Sequence, residues 1–317
     1  MKQRETIVIA LGGNALIKKG EPPTITNQFK NTHKALSSLI PLVKKNNIVL
    51  THGNGFQVGN ILLRVEAALG KAYTIPLELC VAESQGEIGY MMEQTLQNVL
   101  HKHKIKKPVV SILTQVVVNK NDPAFKNPTK PIGPFYTKAQ ATQLTKKGFT
   151  LVEQKGRGWR KVVPSPKPQS IDDVEIISTL LKQNAVVIAA GGGGVPIVKA
   201  RNKPQHGVPA VIDKDLASAC LANAINADKL IIIMSEPNVY LNYATKRKKG
   251  LKTLTIKEAQ QYAKEGQFPP GSMGPKIQAA INFLTKSKKK NAQVILTSGS
   301  MLAKALRGKG GTTITRR

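Results

Sequence analysis

Short apolar runs alternate along this chain with longer amphipathic stretches. Residues 7–11 (IVIAL) are apolar throughout and end at glycine, the pattern of a buried strand. Residues 27–45 carry Phe29, Leu36, Leu39, Ile40 and Val43 near helical spacing and predict one helix. Residues 48–51 predict a short strand, and 57–69 and 85–100 predict helices. Residues 109–118, rich in β-branched side chains, predict a single long strand, and 186–190 another. Further on, helices are expected at 214–225, 256–265, 275–286 and 301–306, with strands at 230–234 and 294–298. Such alternation predicts βαβ units, a mostly parallel sheet and helices on both its faces. Residues 119–169 break the rhythm with many prolines and lysines and read as an inserted subdomain or lid.

Three strands run directly into glycines: ALGGNAL at 10–16, LTHGNGFQVG at 50–59 and AAGGGGVP at 189–196. In an open parallel sheet, ligands bind at the carboxyl ends of the strands. Bare backbone there lets N–H groups approach an anion, so one sheet edge is expected to hold phosphates or carboxylates. GNGFQVG is near a dinucleotide fingerprint, but it has one residue too many before its last glycine and lies at the second strand. Gly70-Lys71 and Gly308-Lys309 are not followed by Ser or Thr, so a Walker A loop is absent.

Composition narrows the setting. The 317 residues are 41% hydrophobic, enough for a substantial core. Two cysteines, Cys80 and Cys220, exclude a disulfide framework and suit a reducing compartment. The basic start before residue 7 resembles a signal peptide, but its apolar run is too short and no cleavage site follows. No 18-residue apolar run exists, so no membrane partner is expected and the location is read as cytoplasmic. The net charge of +30 is the unusual feature, concentrated in KHKIKK (102–107), KRKK (246–249) and KSKKK (286–290). These patches are read as solvated lysines. Nucleic-acid binding is possible from the charge but not favoured, because aromatics are only 4% and do not interleave the patches.

The candidate chemistry lies elsewhere. VIDKDLA places Asp213, Lys214 and Asp215 at a helix start, GSMGPK places Lys276 at another, and NPTKP puts Lys130 on the insertion. Phosphoryl transfer needs mostly positioning and neutralisation of charge, which converging lysines oriented by an aspartate would supply. Spacing alone cannot make them converge. His101 and His103 stand two apart on a helix end and face different ways, a poor metal pair. His52 abuts a glycine loop without an obvious proton to take, and Trp159 reads as a packing anchor.

The stretches IALGGNAL, THGNGFQVGN, SQGEIGYM, NDPAFKNPTKPIGPFY, GRGWRKVVPSPKP, GGGGVP, VIDKDLA and GSMGPK fall along nearly the whole chain. In order and spacing the chain resembles the carbamate kinases of the amino-acid kinase superfamily. The resemblance implies a single domain over 1–317, an α/β three-layer α/β/α sandwich with a mainly parallel eight-stranded sheet, and a protruding subdomain at 119–169. It implies homodimers and the reversible reaction of ATP and carbamate to ADP and carbamoyl phosphate with Mg²⁺, often run towards ATP in arginine breakdown. On the matching positions, Gly12, Gly13, Asn14, Gly53, Asn54 and Gly55 would cradle the phosphoryl group and carbamate. Lys214 and Lys276 would neutralise the phosphates, Asp215 would organise those lysines, and Lys130 would reach down from the subdomain. Ser235, Glu236, Tyr240, Met273, Gly274 and Lys276 would hold the nucleotide, with Mg²⁺ carried by its phosphates rather than by protein ligands. The chain departs from the family at Ser235-Glu236-Pro237, where Thr-Asp-Val is usual, and at Phe56, where proline is usual. Two alternatives stay open at this point: a kinase of this fold acting on another small acid, and a non-catalytic polyanion binder.

Overall fold

The computed structural model describes residues 4–13, 16–18, 20–154, 156–200 and 203–317. The chain opens with strand β1 (Thr6–Leu11), helices α1 (Ile25–Ser37) and α2 (Ile40–Lys45), and strand β2 (Asn47–His52). Helices α3 (Gly55–Ala67) and α4 (Leu77–Lys102) lead to β3 (Val109–Ser111) and β4 (Gln115–Val118). The insertion contributes β5 (Lys130–Tyr136), α5 (Lys138–Lys146), β6 (Leu151–Gln154), β7 (Gly158–Val163) and β8 (Pro168–Ile171). Then come α6 (Val174–Lys182), β9 (Val186–Ile188), β10 (Val195–Ala200), β11 (Lys203–Gly207), α7 (Lys214–Ala224) and β12 (Lys229–Met234). The hairpin β13 (Val239–Leu241) and β14 (Lys249–Leu251) precedes β15 (Thr253–Thr255) and α8 (Ile256–Lys264). Last are α9 (Met273–Lys286), β16 (Gln293–Ser298), α10 (Leu302–Ala305) and β17 (Thr312–Thr315).

Eight strands form the main sheet in the order β15-β17-β16-β12-β1-β2-β9-β3. From β16 to β3 all neighbours are parallel, while β17 reverses against β16 and β15 runs parallel to β17. The strand side chains alternate between two cores. Val8, Ala10, Val49 and Ile232 join the layer of α6, α7, α8 and α9, whereas Ile7, Ile9, Leu11 and Leu50 join that of α1, α2, α4 and α10. Three layers follow from this period-two alternation on a sheet covered on both faces.

Two elements differ from the sequence reading. The helix expected over 27–45 is two helices, because Pro41 has no N–H to offer Ser37 and its ring excludes that carbonyl. The strand expected over 109–118 is also two. β3 ends the main sheet, while β4 joins a separate four-stranded sheet between β10 and β8. The chain changes sheets at Thr114, whose buried hydroxyl donates to the Ile112 carbonyl at 2.9 Å and accepts from Ala190 N at 2.9 Å. A continuous β-branched run contains no sign of that exchange.

The insertion forms a three-stranded antiparallel sheet, β5-β7-β6, standing on α3. Its base approaches so closely that a Cβ on Gly59 would come within 2.0 Å of the Gly133 Cα. Beside this contact Lys161, nearly buried, reaches the Glu66 carboxylate at 2.6 Å and lies over the Phe149 ring.

Candidate active site

β12, β1, β2 and β9 are neighbours, so their carboxyl ends release Ser235, Gly12, Gly53 and Ala189 side by side. The Gly12 N–H donates to the Ile233 carbonyl at 3.1 Å, and the Gly53 N–H donates to Leu11 at 3.1 Å. The first two glycine loops therefore lie against each other, with the Lys214 stem beneath Gly53. The third does not line the cleft. Gly191, Gly192 and Gly193 are buried, and a Cβ on Gly192 would meet the Asn54 side-chain amide at 2.1 Å. GGGG is a close-packed support under His52 and Asn54 rather than a third anion loop. Against its neighbour Gly191, the His52 ring is wholly buried, and desolvation lowers its pKa to about 4, so it is neutral near pH 7.

Three lysines and two aspartates meet at the first turn of α7. The Asp213 side chain caps that helix, one oxygen accepting from Asp215 N at 2.9 Å and Leu216 N at 3.3 Å. Its other oxygen pairs with Lys130 Nζ at 2.6 Å. Asp215 bridges Lys214 on one oxygen and Lys276 on the other, the latter at 3.1 Å. Burial lowers the Lys214 pKa, while Asp215 opposes the shift. Burial would raise the Asp213 carboxyl, but Lys130, Lys214 and Lys276 hold it well below the usual carboxylate range. One net positive charge remains on the five groups, at the positive ends of α7 and α9.

A cleft of about 1040 Å³ extends from this cluster. Of the predicted residues, Gly12, Gly13, Lys214, Ser235, Glu236, Tyr240, Met273 and Lys276 line it. Gly53 and Asn54 back the wall, Asn54 donating to Ser84 Oγ at 2.8 Å, and Gly55 opens α3 behind them. Gly274 sits in the first turn of α9, its N–H donating to the Pro269 carbonyl at 2.9 Å. Asp215 lies beneath the lysines, Lys130 is held by Asp213, and Asn14 lies outside the described residues.

Three contributors were missing from the sequence-derived set. Asp213 was named beside Lys214 and Asp215 at a helix start but given no role of its own. Tyr243 and Lys248 carried no signal. In the structure Tyr243 OH donates to Glu236 Oε1 at 2.9 Å, and Lys248 lies 4.1 Å and 4.2 Å from the Tyr240 and Tyr243 ring centroids. The unusual Glu236 thus has its own partners. For a metal, no cluster of three His, Cys, Asp or Glu side chains occurs among the described residues, and both aspartates are engaged by ammonium groups. The donor set fits a cation that arrives on nucleotide phosphates, not one held in a protein cage.

Comparison with known proteins identifies the family. A model of the amino acid kinase family matches residues 5–296. The chain is 44% identical over 315 residues to a carbamate kinase of Pyrococcus horikoshii, covering 98% of this chain and 99% of that one. It is 48% identical over 311 residues to carbamate kinase 3 of Staphylococcus aureus, covering 97% and 98%. The solved carbamate kinase of Giardia lamblia bound to AMP-PNP superposes with a TM-score of 0.89 at 43% identity, over 99% of both chains. The chain belongs to the amino acid kinase family, and within it to the carbamate kinases.

Proposed function

We infer that this chain transfers a phosphoryl group reversibly between ATP and carbamate, giving ADP and carbamoyl phosphate. The observation that carries the reading is the group of Lys130, Lys214 and Lys276 on Asp213 and Asp215, beside the glycine loops of β1 and β2. A carbamate oxygen attacks the γ-phosphorus in line, and the β-phosphate oxygen leaves. No base is needed for an acceptor already anionic, consistent with a neutral, buried His52. Gly12, Gly13, Asn14, Gly53, Asn54 and Gly55 form the seat of the transferring group and carbamate, where the Gly12 and Gly53 N–H groups are engaged by the Ile233 and Leu11 carbonyls and these two glycines contribute close approach rather than donors. Lys214 and Lys276 neutralise charge spread over the phosphoryl oxygens and the leaving oxygen. Asp215 fixes the spacing of those two ammonium groups. Lys130 acts from above, on the carbamate side.

The nucleotide lies along Ser235, Glu236, Tyr240, Met273 and Gly274. Mg²⁺ would arrive on the nucleotide phosphates and would supply charge neutralisation there, with Lys214 and Lys276 beside it. The engagement of Asp213 and Asp215 with lysines supports this assignment. We take 1–317 as one domain with 119–169 as its lid, acting as a cytoplasmic homodimer that runs towards ATP in arginine catabolism. The first test is ATP formation from ADP, Mg²⁺ and carbamoyl phosphate, with Lys214→Ala alongside. Activity lost in the variant is expected. Folded wild-type protein without activity would overturn the reading.

A further inference from the structure

The parallel strands of the main sheet present their amino ends on the face opposite the cleft, and β17 brings its carboxyl end there. Two of the three lysine-rich patches lie on this one face. Lys104, Lys106 and Lys107 precede β3, and residues 286–290, with four lysines, precede β16. Between them, Lys44 and Lys45 end α2 ahead of β2, and Lys182 ends α6 ahead of β9. Arg316 and Arg317 follow β17. Segments nearly the whole chain apart thus form one basic surface, which no reading along the sequence could assemble. The third patch, 246–249, lies elsewhere, with Lys248 against Tyr240.

The surface is ordered and its acids are taken. Lys107 Nζ donates to the Asn46 carbonyl at 2.7 Å, Arg4 to Asn184 Oδ1 at 2.5 Å, and Arg316 Nε to the Leu284 carbonyl at 2.8 Å. Glu5 pairs with Lys229 at 2.6 Å, and Asp228 with Lys289 at 3.2 Å. Glu258, at the far edge, is used in the Thr255 cap of α8. Lys44, Lys45, Lys104, Lys106, Lys288 and Lys290 remain exposed. Burial first, and Arg4 second, lower the Lys107 pKa to about 8.

Shape and composition indicate the partner. From β17 to β3 the sheet has six strand spacings, roughly 30 Å. A nucleic-acid duplex presents phosphates over about nine base pairs in that length. The large exposed apolar side chains fall on the lid, the starts of α1 and α6, α4, and the loops after α3, β3 and β13, and none belongs to the lysine runs, so this face has no wedge for a bilayer. No exposed aromatic ring lies on it for base stacking. We propose that the face at the amino ends of the main sheet binds the phosphate backbone of nucleic acid without reading its sequence, independently of catalysis at the opposite face.

The test titrates the full chain into a fluorescein-labelled 20-base-pair duplex and follows anisotropy in rising NaCl. Contact with about four phosphates predicts an affinity that falls roughly 100-fold between 50 and 200 mM salt. Reversing Lys104, Lys106, Lys288 and Lys290 to Glu should weaken binding at least about tenfold while ATP formation persists. Reversing Lys126, Lys138, Lys146 and Lys147 around the lid changes net charge equally and should leave affinity within about threefold. Equal loss in both variants would reduce the effect to net charge and overturn the site. Displacement of the duplex by excess ADP would move it to the cleft, with the same consequence. Binding to phosphatidylserine vesicles but not to duplex would replace nucleic acid with a membrane surface. On the unmutated chain, acetylation read by mass spectrometry should show Lys104, Lys106, Lys288 and Lys290 protected by duplex. Protection no greater than on the lid would reject the proposal.

Discussion

Lys130 and Asp213 meet at 2.6 Å, joining the first residue of β5 in the insertion to the cap of α7. The same carboxylate ends the helix that carries Lys214 and Asp215, so one side chain sets both the floor and the roof of the site. Its pKa is held below the usual range, so its charge contributes stability above about pH 4, lost only as pH falls further. Asp213→Asn keeps the cap but removes the ion pair, so the melting temperature should fall at neutral pH, and the difference from wild type should narrow as pH falls below about 4. The KM for carbamoyl phosphate should rise on the order of tenfold, the scale of one charge-assisted hydrogen bond. In a Lys130→Ala background that effect should nearly vanish, since both changes act through one pair. Additive effects, or a lower KM, would show that Asp213 does not position Lys130.

Lys214 is buried and its pKa is lowered, so the alkaline limb of kcat should fall below the ordinary lysine range near 10.5. The cation is the active form, and activity is lost as pH rises through that value. Lys214→Ala should reduce kcat by roughly 10²–10³-fold, as for loss of one donor to a charged transition state. Lys214→Arg keeps a charge that does not titrate here, so its residual activity should lack the alkaline limb. A limb that persists in the arginine variant assigns it to another group.

Gly192 has a φ of 65° and touches Asn54, whereas Gly308 has a φ of 71° and open space around its Cβ position. Gly308→Ala should cost about 1 kcal/mol, the penalty of left-handed backbone alone. Gly192→Ala adds overpacking against a buried amide and should cost roughly 2–4 kcal/mol. It should also raise substrate KM, because Asn54 stands on it. Chemical denaturation of the two variants, with initial rates, separates the cases; equal stability losses would mean that the GGGG segment is not a support.

Tyr243 OH donates to Glu236 at 2.9 Å in the part of the cleft proposed to take the nucleotide. Tyr243→Phe removes one hydrogen bond, about 1 kcal/mol, and should raise the KM for ADP roughly fivefold with kcat unchanged. A change in kcat alone would place Glu236 in the chemical step instead.

The base of the inserted subdomain supplies a stability test. Glu66→Gln leaves the nearly buried Lys161 without its carboxylate and should cost about 3 kcal/mol, lowering the melting temperature. Joining Glu66→Met to Lys161→Met should recover most of that loss, because neither charge is then buried alone. If the double variant is no better than the single, the contact is held by packing at Gly59 and Gly133 instead.

The strand and helix alternation and the glycine loops of β1 and β2 were legible along the chain, because periodicity and turn chemistry are local properties; Lys130, Lys214 and Lys276 were singled out, but spacing did not bring them together. Residues 109–118 and 27–45 were misread for the same reason: a sheet exchange at Thr114 depends on Ala190, and Pro41 acts through a carbonyl one turn back. Local sequence determined that strands end in bare backbone near lysines. Only the order β12-β1-β2-β9 placed those ends together, put GGGG beneath rather than beside the cleft, and set Lys130 on Asp213 across 83 residues. It also gathered separate lysine runs on the opposite face. Spacing along a chain fixes what one helix or strand can present, whereas convergence of charges requires the sheet topology that brings distant ends within a few ångströms.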